Sequence, residues 1–82
     1  MAVFLGVHKL PAEMTEDQVR EGWENYKKSA TEKGLKPLGA VVSFEKGFAY
    51  CQTEAESADQ VRDAHQAVEN PLEDVVEVEQ LS

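Results

Sequence analysis

Four β-prone runs, two helical segments that each open on a capping signature, and a glycine-containing loop of hairpin length between the second and third runs predict an α+β fold. Their order is βαββαβ, the split βαβ or ferredoxin-like arrangement, in which two helices cover one face of a four-stranded antiparallel sheet. The 82 residues allow one domain, residues 1–82. A chain this short buries a smaller fraction of its surface than a large protein, so association with a second copy is expected to help its stability.

Ala2 to His8 alternates Val3, Leu5 and Val7 with Phe4, Gly6 and His8, the period of a strand. Thr15 with Gln18 three positions on forms a capping box, and Val19, Trp23, Tyr26 and Ala30 recur at helical spacing, so a helix spans about Glu16 to Lys33 and ends at Gly34. After Pro37, the runs Ala40 to Phe44 and Phe48 to Thr53 are joined by Glu45, Lys46 and Gly47 as a hairpin. Ser57 and Gln60 repeat the capping signature ahead of a second helix whose inward stripe is Ala58, Val61, Ala64, His65 and Val68, stopped by Asn70 and Pro71. Val75 to Glu79 then alternates valine with glutamate as a final strand.

This order predicts strands arranged 4-1-3-2 and leaves one sheet face without a cover. Phe4 or its neighbours, and alternate members of the Phe44, Phe48 and Tyr50 group, are expected to place apolar surface there, which points to a homodimer formed face to face through the sheet.

Eight basic residues against sixteen acidic ones give a net charge of -8, with the acids spread through both halves. That balance argues against nucleic acid and against anionic membranes. It suits a metal cation or a basic partner, but a solvated surface accounts for it more simply. The single cysteine has no internal disulfide partner, and the start Met-Ala-Val-Phe-Leu lacks the basic region and long apolar run of a secretory signal, so a cytoplasmic location is expected. No apolar stretch approaches the roughly 20 residues needed to span a bilayer.

No glycine-rich phosphate loop, nucleophile elbow, paired metal-binding cysteines or His-Glu-x-x-His motif is present. The residues able to carry chemistry are His8, Cys51 and His65, whose imidazole and thiolate donors suit nickel, zinc or copper. The first strand ends where the second helix ends, so His8 and His65 are expected at one end of the domain, near Glu45, Glu69, Glu73 and Asp74. Cys51, late in an antiparallel third strand, is expected nearer the opposite end and joins only if a partner chain helps. Each donor also has a plainer reading: His8 as a hydrogen-bonded strand end, His65 as a core-edge imidazole on a backbone carbonyl, Cys51 as a small buried hydrophobe. An enzyme would instead use His8 or His65 as a general base beside a glutamate, in a cleft between helices and sheet. Trp23 and Tyr26 could line such a cleft, but their spacing fits core packing better. The acids Glu69, Glu73, Asp74, Glu77 and Glu79 lack the ligand spacing and glycine turn of a calcium loop and read as a solvated face.

Tyr50-Cys51, Glu54-Ala55, Ser57-Ala58, Val61, Ala64-His65 and the segment from Pro71 to Val78 resemble a family of small bacterial nickel-binding proteins with a ferredoxin-like fold. The resemblance implies a dimer that binds nickel through nitrogen, oxygen and sulfur donors. The function expected of the chain is that of a metal store, buffer or sensor without turnover. Cys51 and His65 fall in the matching segment, His8 outside it, and the first helix matches no motif. The fold also looks like dimeric α+β barrel proteins, among them small monooxygenases and isomerases with a substrate between sheet and helices, which is the alternative function.

Overall fold

The structure, a computed structural model, describes residues 1–81. The elements follow as β1 (Ala2–Lys9), α1 (Glu16–Glu32), β2 (Lys36–Ser43), β3 (Phe48–Ala55), α2 (Ala58–Gln66) and β4 (Asp74–Val78). The strands lie in the order β2-β3-β1-β4, the predicted order read from the other edge, and every pairing is antiparallel.

Local chemistry explains the helix boundaries. The Thr15 hydroxyl accepts from the Gln18 amide while the Gln18 side chain accepts from the Thr15 amide, which satisfies two of the free donors at the start of α1. Gly34, at φ 81°, turns the chain out of α1. In α2 the Ser57 hydroxyl accepts from the Gln60 amide, but the Gln60 side chain reaches back one residue further, to the amide of Glu56. In the turn that follows α2, Glu69 lies in the left-handed region at φ 54°, and the Asn70 amide closes the turn by donating to the His65 carbonyl. The Asn70 side chain then donates to the Gly22 carbonyl and ties this turn to α1.

Two strands differ from the sequence reading. β2 starts at Lys36 rather than Ala40, running through Pro37 and an irregularity between Pro37 and Gly39. An edge strand tolerates both, because only one side of it enters the ladder. β3 continues past Thr53 to Ala55, since its buried alternation of Ala49, Cys51, Thr53 and Ala55 carries on unbroken beneath the helices.

The core lies between the helices and the covered sheet face, where Phe4, Val75, Ala55 and Cys51 meet Tyr26, Ala30, Val61 and Ala64. Phe4 belongs to this core and not to the open face. The parity of β1 sends Phe4, Gly6 and His8 toward the helices and leaves its neighbours Val3, Leu5 and Val7 on the other side. There Leu5 pairs with Val76, Val3 with Val78 and Val7 with Tyr50, while Phe48 lies 4.8 Å from Tyr50, centroid to centroid. The open face is therefore apolar, as expected.

Candidate metal centre

His8, Cys51 and His65 meet under the helices, with no two of their donor atoms more than 4.8 Å apart. The Cys51 Sγ lies 3.5 Å from His8 Nε2 and 3.4 Å from His65 Nε2. The expectation that Cys51 sits at the far end of the domain is thus overturned. β3 is eight residues long and Cys51 is at its middle, opposite Gly6 and one same-face step along β1 from His8. One chain brings all three groups together.

Each imidazole is held by its other nitrogen. His8 Nδ1 donates to the Pro71 carbonyl at 2.9 Å, and His65 Nδ1 donates to the Val61 carbonyl, one turn back on α2, at 2.8 Å. A carbonyl can only accept, so Nδ1 carries the proton in both rings and each Nε2 presents a bare lone pair to the sulfur when the ring is neutral. This is the usual outer arrangement of metal-binding histidines, in which a backbone oxygen fixes the tautomer and the ring plane.

Burial sets the charges. His65 is 1% exposed, and desolvation pushes its pKa down to about 4, against the opposing effect of the Val61 carbonyl. Desolvation also lowers His8, which the Pro71 carbonyl partly offsets. The Cys51 thiol is pushed up to about 11 by the same burial. At neutral pH the group therefore consists of two neutral imidazoles and one thiol. The S–H can donate to only one Nε2 at a time, so three lone-pair donors converge around a single proton.

The surroundings are apolar and tight. The Tyr26 ring stacks on His65 at 3.7 Å between centroids, and the Tyr26 hydroxyl bonds to buried Thr53. A Cβ on Gly6 would stand 2.7 Å from the Cys51 Sγ and 3.2 Å from the Leu72 side chain. Beside His65 an open cleft of about 510 Å3 is lined by Glu69, Glu73 and Asp74 among others, so these acids do lie at the histidine end. Sequence reading anticipated a backbone carbonyl on His65 and a hydrogen bond on His8 but not which carbonyls these are, and it missed Gly6 and the stacking role of Tyr26. A glycine in mid-strand was the one available signal, since it marks close approach of another group.

The donor chemistry fits a transition metal. Bonds of about 2.1 Å to nitrogen and about 2.3 Å to sulfur, at a tetrahedral angle, separate the donors by about 3.5 Å, the spacing from sulfur to each imidazole here. Imidazole and thiolate suit nickel, copper and zinc alike.

A family model described as nickel responsive protein SCO4226-like matches residues 4–78. Among solved structures, the crystal structure of SCO4226 from Streptomyces coelicolor A3(2) is similar, with a TM-score of 0.87 and 22% identity over 99% of this chain and 100% of that one. At that identity the likeness speaks for the fold. No curated protein matches by sequence. With the family match spanning all six elements, the chain belongs to the SCO4226-like nickel responsive protein family.

Proposed function

We propose that this protein binds a transition metal ion, nickel first, through His8, Cys51 and His65, and serves as a store, buffer or sensor without turnover. The observation that carries the reading is the surplus of lone pairs: two bare Nε2 atoms and one sulfur point at a common centre that holds one proton. A cation placed there relieves that repulsion, and loss of the thiol proton supplies the anionic donor. The family's nickel-responsive character favours nickel among the metals that suit these donors. The residues' part is to present preset tautomers, exclude bulk water around Cys51 and His65, and release the Cys51 proton on loading.

The barrel-type enzyme reading needs a closed apolar pocket with one polar focus. The cleft beside His65 is instead open and bordered by carboxylates, which favours the binding reading.

A homodimer through the open sheet face belongs to the same proposal. Leu5, Val7, Tyr50 and Val76 form a contiguous apolar patch on that face, which a second copy would cover. No helix among the described residues is long and apolar enough to cross a membrane, and a cytoplasmic site of action remains part of the proposal.

Isothermal titration of tag-free protein with nickel, zinc and copper at neutral pH, beside native mass spectrometry, tests the whole reading. One tightly bound ion per chain with a nickel–thiolate charge-transfer absorption is the expected result. Absence of binding above background would reject the site, and a monomer at micromolar concentration would reject the dimer.

A further inference from the structure

The donor atoms of the cluster are closed off from solvent, although a cleft runs up to one of them. Cys51 and His65 are 3% and 1% exposed, yet His65 forms part of the wall of the open cleft of about 510 Å3 at the end of α2. Leu72 belongs to both places. It lines the cleft, and its Cδ2 lies 3.2 Å from the point where a Cβ on Gly6 would stand, a point 2.7 Å from the Cys51 sulfur and 3.6 Å from His65 Cε1. The Leu72 side chain is half-buried and packs against the core, so it fills the gap between the cleft and the donors.

The backbone on either side of Leu72 is pinned. The Pro71 carbonyl accepts from His8, the Asn70 amide donates to the His65 carbonyl at 2.9 Å, and the Glu73 amide donates to the Val7 carbonyl at 2.7 Å. With the chain held at these three neighbours, the part of residue 72 free to move is its side chain, by rotation between staggered positions. Lifting the segment instead would break the bond that orients His8. A side-chain rotation is local and fast beside such a loop movement. Charge favours the same side of the cluster: the cleft is bordered by Glu69, Glu73 and Asp74 against Arg62, so an approaching cation meets a favourable potential there.

We infer that the metal ion enters and leaves through this cleft, with the Leu72 side chain as the barrier across its inner end. This route rests on the reading that His8, Cys51 and His65 are the ligands. A barrier acts on entry and exit alike, so Leu72 governs how fast the ion exchanges and not how tightly it is held.

Stopped-flow mixing of the full chain with Ni(II), and of the nickel-loaded chain with excess EDTA, reads both rates in the wild type and in Leu72→Ala. Uptake and release should each rise by about tenfold or more in the variant, with the dissociation constant within about threefold of the wild type. In metal-free protein shown to be folded by circular dichroism, methyl methanethiosulfonate should modify Cys51, the sole cysteine, faster in Leu72→Ala than in the wild type. Leu72→Val, which trims the barrier by one carbon, should give a smaller rise in each rate and replaces the alanine variant if that fails to fold. Equal rates in wild type and variant overturn the inference. Faster release with unchanged uptake overturns it as well, since Leu72 would then support the filled site rather than bar the way to it. Wild-type protein that binds no nickel overturns the ligand assignment, whereas the thiol-labelling comparison needs no metal and still decides the route to Cys51.

Discussion

Gly6 and Cys51 face each other across β1 and β3, and the side chain that Gly6 lacks leaves the space that the Cys51 sulfur and the His65 ring border. Gly6→Ala would put a methyl carbon 2.7 Å from Sγ, a contact that a short side chain on a paired strand cannot swing away from. We expect a loss of about 1–3 kcal/mol in stability from overpacking, and metal affinity weakened by about tenfold or more because the sulfur is displaced. Thermal unfolding and titration of the variant check the two effects separately. Unchanged affinity would show that the sulfur is not a ligand.

His8 and His65 should separate structure from binding. His65→Ala removes a buried ring that stacks on Tyr26 and leaves a cavity, so the metal-free protein should lose about 2–4 kcal/mol. His8 is half-buried at the end of β1, and His8→Ala should cost less than half as much. Both variants should bind nickel at least about tenfold more weakly. Denaturant unfolding without metal, followed by titration, reads both quantities. Wild-type affinity in either variant removes that residue from the site.

Acid should unfold the metal-free protein through His65. Its folded pKa lies at about 4 against an ordinary 6.5, so between these values the unfolded chain carries a proton that the native one excludes. Stability from this residue is complete above pH 6.5 and falls as pH drops toward 4, by on the order of 3 kcal/mol. His8, also lowered, acts in the same direction. Comparing unfolding free energies at several pH values with those of His65→Gln isolates the effect, since the carboxylates are common to both proteins. Parallel pH profiles would contradict it.

The Tyr26 hydroxyl and Thr53 satisfy each other inside the core. Thr53→Val alone strands the phenol oxygen and should cost about 1–3 kcal/mol, whereas Thr53→Val combined with Tyr26→Phe should recover much of that loss. A double-mutant cycle by denaturant unfolding measures the coupling. Additive losses would mean the pair is not linked.

The helix ends and strand order were legible because they depend on local signals. Thr15 with Gln18 and the glycine at position 34 each act within one turn, and the alternation in each run separates its two faces. The position of Cys51 was not legible, because register depends on how far β3 runs and which residue of β1 stands opposite, and neither is written in the run itself. The choice between Phe4 and its neighbours for the open face stayed undecided for a related reason: alternation says that Phe4 and Leu5 part company, not which of them meets the helices. A carbonyl partner for His65 was foreseeable from its place on the helix stripe, but the carbonyl of Pro71 reaches His8 from 63 positions away, which no local pattern announces.

The His8–Pro71 hydrogen bond joins groups 63 positions apart, and Cys51 stands 43 and 14 positions from the two histidines it touches. No short stretch of the chain holds two of these three donors, so a nascent or denatured polypeptide presents them singly. The ion therefore distinguishes a finished molecule from an unfinished one. By mass action, each tenfold excess of free ion over the dissociation constant deepens the native well by about 1.4 kcal/mol without rewarding the unfolded state. On the proposed reading, occupancy and folding of this chain of 82 residues are linked in one equilibrium, so a rise in free metal would favour the folded molecule.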